Sequence, residues 1–145
     1  MSADYEAALQ FAHRANIARY RKLLTTFLSE HERQFVKRRL AEEEAALHNA
    51  LETLRDPSHV RMLSARELQG LLEAVGLRII SQMTWEKKRD YDEWIRITNA
   101  PERVKPLYTV MVTLARAGIQ AGINLHFDGK TVVFHHDYLL VTAEK

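Results

Sequence analysis

The chain has no cysteine. A disulfide framework, a thiolate metal site and a cysteine nucleophile are therefore excluded. Proline and glycine are sparse, three and five in 145 residues, so long uninterrupted elements are expected. The glycines are Gly70, Gly76, Gly118, Gly122 and Gly129, and no two have the G-x-G spacing. No run of about 18 apolar residues occurs, which argues against a membrane-spanning helix. An excess of either charge is missing too. Residues 1–56 carry nine Lys/Arg against nine Asp/Glu and residues 57–145 twelve against ten, for a formal net charge of +2, so no nucleic-acid partner is expected. The acidic start, Met1-Ser2-Ala3-Asp4-Tyr5-Glu6, lacks the apolar run of a signal peptide, and the expected location is the cytoplasm.

What is present is enough hydrophobic residue, 46%, to build one domain with a real core. Leu9, Ile17, Tyr20, Leu24, Phe27 and Leu28 recur at three- and four-residue steps and form one stripe of a helix over 3–28. Ser29-Glu30-His31-Glu32 reads as a capping box. Val36, Leu40, Leu47, Leu51 and Leu54 then carry a second helix to Asp56-Pro57, where proline ends it. The two make a helical hairpin whose arms, about 25 residues or roughly 37 Å each, are longer than a small core needs and call for a partner surface.

Residues 56–145 read as a second, mixed part. Ser64 with Glu67 is another capping box, opening a helix with Leu68, Leu71, Leu72 and Val75 as its inner face and Gly76 as its cap. Leu77, Ile79, Ser81, Met83 and Trp85 alternate as a strand. Glu86-Lys87-Lys88-Arg89 reads as polar loop, and Asp90 with Glu93 caps a short helix. Pro101 starts another helix with the stripe Val104, Leu107, Tyr108, Met111, Leu114 and Ala115, ending at Gly118. Ile123, Leu125 and Phe127 alternate, Asp128-Gly129 signals a two-residue type I′ turn, and 130–142 returns as a strand. The fold class is α+β: a long helical hairpin over 1–55, then an α/β-like part over 56–145 with a small sheet of about three strands.

Several polar groups invite a chemical reading. The run Arg33, Lys37, Arg38, Arg39 is followed by Glu42, Glu43 and Glu44, so Arg38–Glu42 and Arg39–Glu43 are expected to neutralise one another on a solvated helix face. His48 lies four residues after Glu44, one metal-ligand spacing, without further ligands evident at matching distance. In His135-His136-Asp137 the neighbours on a regular strand point to opposite faces, so that pair cannot share an ion. No metal site is expected. Trp85, Tyr91 and Trp94 are candidates for a pocket holding a flat apolar substrate, or for ordinary core.

The stretch Leu54-Arg55-Asp56-Pro57-Ser58-His59-Val60-Arg61, with Glu67-Leu68, Ala74-Val75-Gly76-Leu77, Tyr91-Asp92-Glu93-Trp94-Ile95, Ala100-Pro101-Glu102-Arg103 and the closing strand to Ala143-Glu144-Lys145, resembles the C-terminal, substrate-side part of class I S-adenosylmethionine (SAM)-dependent methyltransferases. The group resembled is the ubiquinone/menaquinone-biosynthesis-like one, methyltransferase type 11, over residues 46–145. By that resemblance, 65–75 is the helix before the sixth strand, 77–85 the sixth strand, 91–117 a helical roof over the substrate pocket and 131–142 the antiparallel seventh strand. His59 and Arg61 would then approach the substrate, or else cap backbone at the joint.

The glycine loop and ribose-binding carboxylate of that family have no counterpart here. The hairpin that stands in their place, through Asn16-Ile17-Ala18-Arg19-Tyr20-Arg21-Lys22-Leu23-Leu24 and Arg39-Leu40-Ala41-Glu42-Glu43-Glu44, resembles short uncharacterised bacterial proteins of no known activity. The resemblance therefore implies a substrate-side fragment that binds no SAM alone and depends on a cofactor-binding partner. A non-catalytic dimerising or binding module that keeps the methyltransferase-like surface is the alternative. In the family the seventh strand lies between two others, so its exposed edge here implies a homodimer or another partner.

Overall fold

The structure, a computed structural model, describes residues 3–97 and 101–145, with side chains from residue 11 onward. Ala100 and the side chain of Leu9 lie outside the described residues. Helix α1 (Ala3–Leu24) and helix α2 (Glu30–Arg55) fold back on each other as the expected hairpin. Ser29 Oγ accepts from the Glu32 N–H while Glu32 Oε2 accepts from the Ser29 N–H at 2.9 Å, so two orphan donors at the start of α2 are satisfied together. At its other end Arg103 Nη1 donates to the carbonyls of Thr53 and Leu54, covering acceptors a helix leaves free. Ile17, Leu47 and Leu51 are fully buried, whereas Phe27 lies in the turn, fully exposed, and is no part of the stripe.

The acidic run behaves differently from the expected self-neutralised face. Glu43 shares a helix face with Leu47 and Leu51, so its carboxylate is directed into the hairpin, where it meets His13 Nδ1 at 2.6 Å and accepts from Asn16 Nδ2 at 3.0 Å. Glu44 accepts from Arg21 at 2.9 Å, and Arg39 pairs with Glu42 instead.

Helix α3 (Ala65–Ala74) has the Ser64–Glu67 capping box, but only half of its expected inner face is covered. Leu68 and Leu72 are half-buried, and Leu71 and Val75 are exposed. Strand β1 (Arg78–Asp90) runs straight through Glu86-Lys87-Lys88-Arg89, which reads as loop from polarity alone. The strand continues because each of these residues pairs across to β3 (Val132–Glu144), Lys87 with His136 and Arg89 with Phe134 among them. A bulge at Ile80 interrupts the register once. Asp90 then caps α4 (Tyr91–Ile95) by accepting from the Glu93 N–H.

Helix α5 (Pro101–Arg116) buries Leu107, Met111 and Leu114. The hairpin that follows has a four-residue loop rather than a two-residue turn. Strand β2 is only His126–Phe127, and Phe127 pairs with Val132. The Asp128 carboxylate accepts from the N–H groups of both Lys130 and Thr131, an Asx-type turn that competes with the tighter type I′ geometry.

The sheet has the order β1-β3-β2 and is antiparallel throughout. One hydrophobic cluster joins Ile17, Leu47 and Leu51 from the hairpin to Trp94, Met111, Leu125 and Phe134. It packs against the start of β3 only. Beyond His135, whose N–H donates to the Ile123 carbonyl at 2.7 Å, the edge of β3 facing away from β1 has no strand beside it among the described residues.

Candidate functional site

Where α2 ends, its last turns place His48 and Glu52 one turn apart on one face. Four further segments converge there. β3 brings His136, α4 brings Trp94, the end of β1 brings Arg89, and the joint after α2 brings His59. They enclose a cleft of about 320 Å³ lined by Glu52, Arg55, His59, Arg89, Trp94 and His136.

The electrostatics centre on Glu52, which is 4% exposed. Arg55 clamps one oxygen, Oε2, through Nε at 3.0 Å and Nη2 at 2.7 Å. The other oxygen, Oε1, faces His136 Nε2 at 3.4 Å and His48 Nε2 at 3.8 Å. Burial pushes the Glu52 carboxyl up, but the opposing pull of His48, Arg55 and His136 prevails and holds it down at about 2. Burial drives the His136 imidazole down to about 4 against the attraction of Glu52. At neutral pH this is an ionised carboxylate facing a neutral ring.

Buried side-chain atoms without a hydrogen-bond partner among the described residues gather here: Arg55 Nη1, Arg89 Nε, Trp94 Nε1, His48 Nε2 and His136 Nε2. Folded proteins rarely leave such atoms unsatisfied, so their concentration around one cleft marks it out. The Arg and Trp atoms are donors only and suit a ligand rich in acceptors. Arg55 also lies 4.9 Å over the Trp94 ring, a cation–π contact that fixes its plane.

Of the residues singled out from sequence, His59 and Trp94 line this cleft. His59 Nε2 lies 3.0 Å from Asn49 Oδ1, which also accepts from the Met62 N–H, so His59 helps to anchor the joint while facing the cleft. Trp85 stands outside, stacked on Tyr138 at 5.3 Å. Arg61 turns to the surface and pairs with Glu67 at 2.8 Å. Tyr91 belongs to the core, its hydroxyl donating to the Val104 carbonyl; burial pushes that hydroxyl up to about 12. Tyr91 also lines a separate cleft of about 390 Å³ with Val104, Tyr108 and Lys130.

Sequence reasoning missed Glu52, Arg55, Arg89 and the pairing of His48 with His136. The His48–Glu52 spacing was there to be read, but His136 reaches it only through the fold. His135 points the other way, to Asn124.

Fit to a nucleoside cofactor can be judged from the glycines. Gly70 lies inside α3, Gly76 between α3 and β1, Gly118 after α5, and Gly122 and Gly129 in turns. None stands where a strand enters a helix, and the antiparallel sheet offers no pair of parallel strands among the described residues. These residues do not fit a SAM site of the strand, glycine loop and helix kind.

No family model matches the chain, and no curated protein does. A solved structure does: the crystal structure of a "putative methyltransferase" from Bacillus halodurans aligns with a TM-score of 0.57 at 19% identity. The fold is methyltransferase-like. The alignment covers 68% of this chain and 47% of the other, so the likeness spans about half of that protein.

Proposed function

We propose that the chain supplies the substrate-side half of a methyltransferase, and that the cleft between the end of α2 and β3 receives the substrate. The observation that carries this reading is the concentration of unsatisfied polar atoms around one cleft in a chain of methyltransferase-like fold. The donors of Arg55, Arg89 and Trp94 favour a substrate with a carboxylate, phosphate or comparable acceptor group, and the Trp94 ring offers an apolar wall. In this reading β1 and β3 take the places of the sixth and seventh strands, and SAM is held by a cofactor-binding partner rather than by this chain. Calorimetric titration of the purified chain with SAM tests that division of labour. No binding by the chain alone, with binding restored by a Rossmann-type partner, is expected; micromolar binding to the chain alone would end the proposal.

A second reading, a dimerising module without chemistry, draws support from the uncovered edge of β3 and from exposed Ile80, Met83, Trp85 and Leu140 on the same ribbon. Light scattering separates it: the dimer reading requires twice the 16.8 kDa chain mass at micromolar concentration.

A further inference from the structure

The cleft is chemically mixed. Arg55, Arg89 and Trp94 bring buried donors to it, whereas Glu52 and His136 in the lining, with His48 beside them, present one carboxylate oxygen and two imidazole nitrogens to a common point. One ligand atom from each of His48, Glu52 and His136 lies within 4.8 Å of the other two. Among the described residues neither imidazole nitrogen has a hydrogen-bond partner, and both are buried. At 3.4 and 3.8 Å from Oε1 they are too far for good hydrogen bonds to it. Two ligands of a tetrahedral ion held at about 2.0–2.1 Å lie roughly 3.3 Å apart, so the spacing fits a shared central ion after small side-chain rotations.

The surroundings support the same reading. Arg55 occupies only Oε2, which leaves Oε1 free to ligate and gives the carboxylate the outer partner that metal-bound carboxylates usually have. The two imidazoles stack with centroids 5.4 Å apart, and Trp94 and Phe134 pack on the His136 ring. The aromatic packing limits how far His136 can turn away.

We propose that His48, Glu52 and His136 form a binding site for a single divalent transition-metal ion of the Zn2+ type, with the remaining coordination position opening into the cleft. Two imidazoles and one carboxylate are a donor set suited to Zn2+, Co2+ or Fe2+ and poorly suited to Ca2+ or Mg2+. The proposal does not depend on the methyltransferase reading, since it rests only on these three side chains.

The test uses the full chain after chelator treatment, titrated with Zn2+ by calorimetry and with Co2+ by visible absorption. One equivalent should bind, with the intense d–d bands of a low-symmetry Co2+ site. His48→Ala and His136→Ala should each weaken binding by more than the roughly 10–100-fold that loss of an outer partner costs, while His135→Ala, on the opposite strand face, should leave it unchanged. Failure of the wild-type chain to bind one equivalent overturns the proposal, as does binding indifferent to His48→Ala and His136→Ala. If either variant fails to fold, imidazole 15N spectra of the wild-type chain decide: Zn2+ must shift the Nε2 resonances of His48 and His136 and spare those of His126 and His135, and any other pattern rejects the site.

Discussion

The body and the ribbon of this molecule are built from the same kinds of residue and treat them in opposite ways. In the body, Leu47, Leu51 and Met111 are fully buried between α1, α2, α5 and the start of β3. In the ribbon formed by β1 and the far half of β3, Ile80, Met83 and Leu140 are each more than half exposed. Pairing is not what differs, since β1 and β3 stay in register along nearly their whole length. Layering is. A strand ladder satisfies backbone groups, but an apolar side chain is buried only when a second layer covers that face, and α3 covers the ribbon only in part. Among the described residues no second layer covers these apolar side chains, and they reach the surface.

The contrast can be broken most sharply by placing a charge in each region. Leu47→Asp should lower stability by about 4 kcal/mol or more in urea unfolding, because the carboxylate has no partner in the core. Leu24→Asp, at a half-buried site, should cost less. Equal effects would show that the hairpin stripes are not graded as described. Next in size, Arg55→Ala should cost about 3 kcal/mol by leaving the buried Glu52 carboxylate without its clamp, and Arg55→Lys should recover only part of that loss.

A pH series sharpens the same boundary. The His136 imidazole titrates near 4 when folded against an ordinary 6.5, so between those values the unfolded chain binds a proton that the folded one does not. Stability must then fall as pH drops from 6.5 towards 4. The Glu52 contribution, complete above its ordinary 4.5, is lost as pH falls further towards 2. Melting temperatures of chelator-treated protein should follow this course, and His136→Phe should flatten the upper window; an unchanged slope would remove His136 as its source.

The smallest expected stability effects belong to the ribbon. Leu140→Asp should change unfolding by about 0.5 kcal/mol or less, as exposed substitutions do. Val141→Pro removes an N–H that, by strand alternation from His135, points to the uncovered edge. It should leave the monomer folded and split a strand-paired dimer in light scattering. A dimer indifferent to Val141→Pro would place its contact elsewhere.

Local chemistry was legible in the sequence, and distant encounters were not. Ser29 with Glu32, Ser64 with Glu67 and Asp90 with Glu93 each announce a helix start because both partners lie within one turn. Polarity misleads at Glu86-Lys87-Lys88-Arg89, where extended structure comes from the opposite strand and not from the residues' own preference. The Asp128 turn was misread because the carboxylate's reach to two N–H groups outweighs the glycine signal. In the candidate site, His59 and Trp94 could be found from the motifs around them. Glu52 and Arg55 were not singled out as site residues, and only the closing strand, arriving from the other end of the chain, gives them their setting.

The loop after α5 also governs how the molecule can move. Gly122, at φ +67°, lies so close to Glu44 that an added Cβ would meet its Cβ at 3.4 Å and its backbone at 3.6 Å. Arg21 donates to the Gly118 carbonyl at 2.7 Å from the neighbouring helix. Further along, at the C-terminal end of α2, Arg103 holds the Thr53 and Leu54 carbonyls. A lever fastened at two separated points cannot swing, so the hairpin and the body open together or not at all. Amide hydrogen exchange should accordingly report α2 between Glu44 and Leu54 as one cooperative unit with a single opening free energy, and the ribbon as a separate, faster-exchanging one.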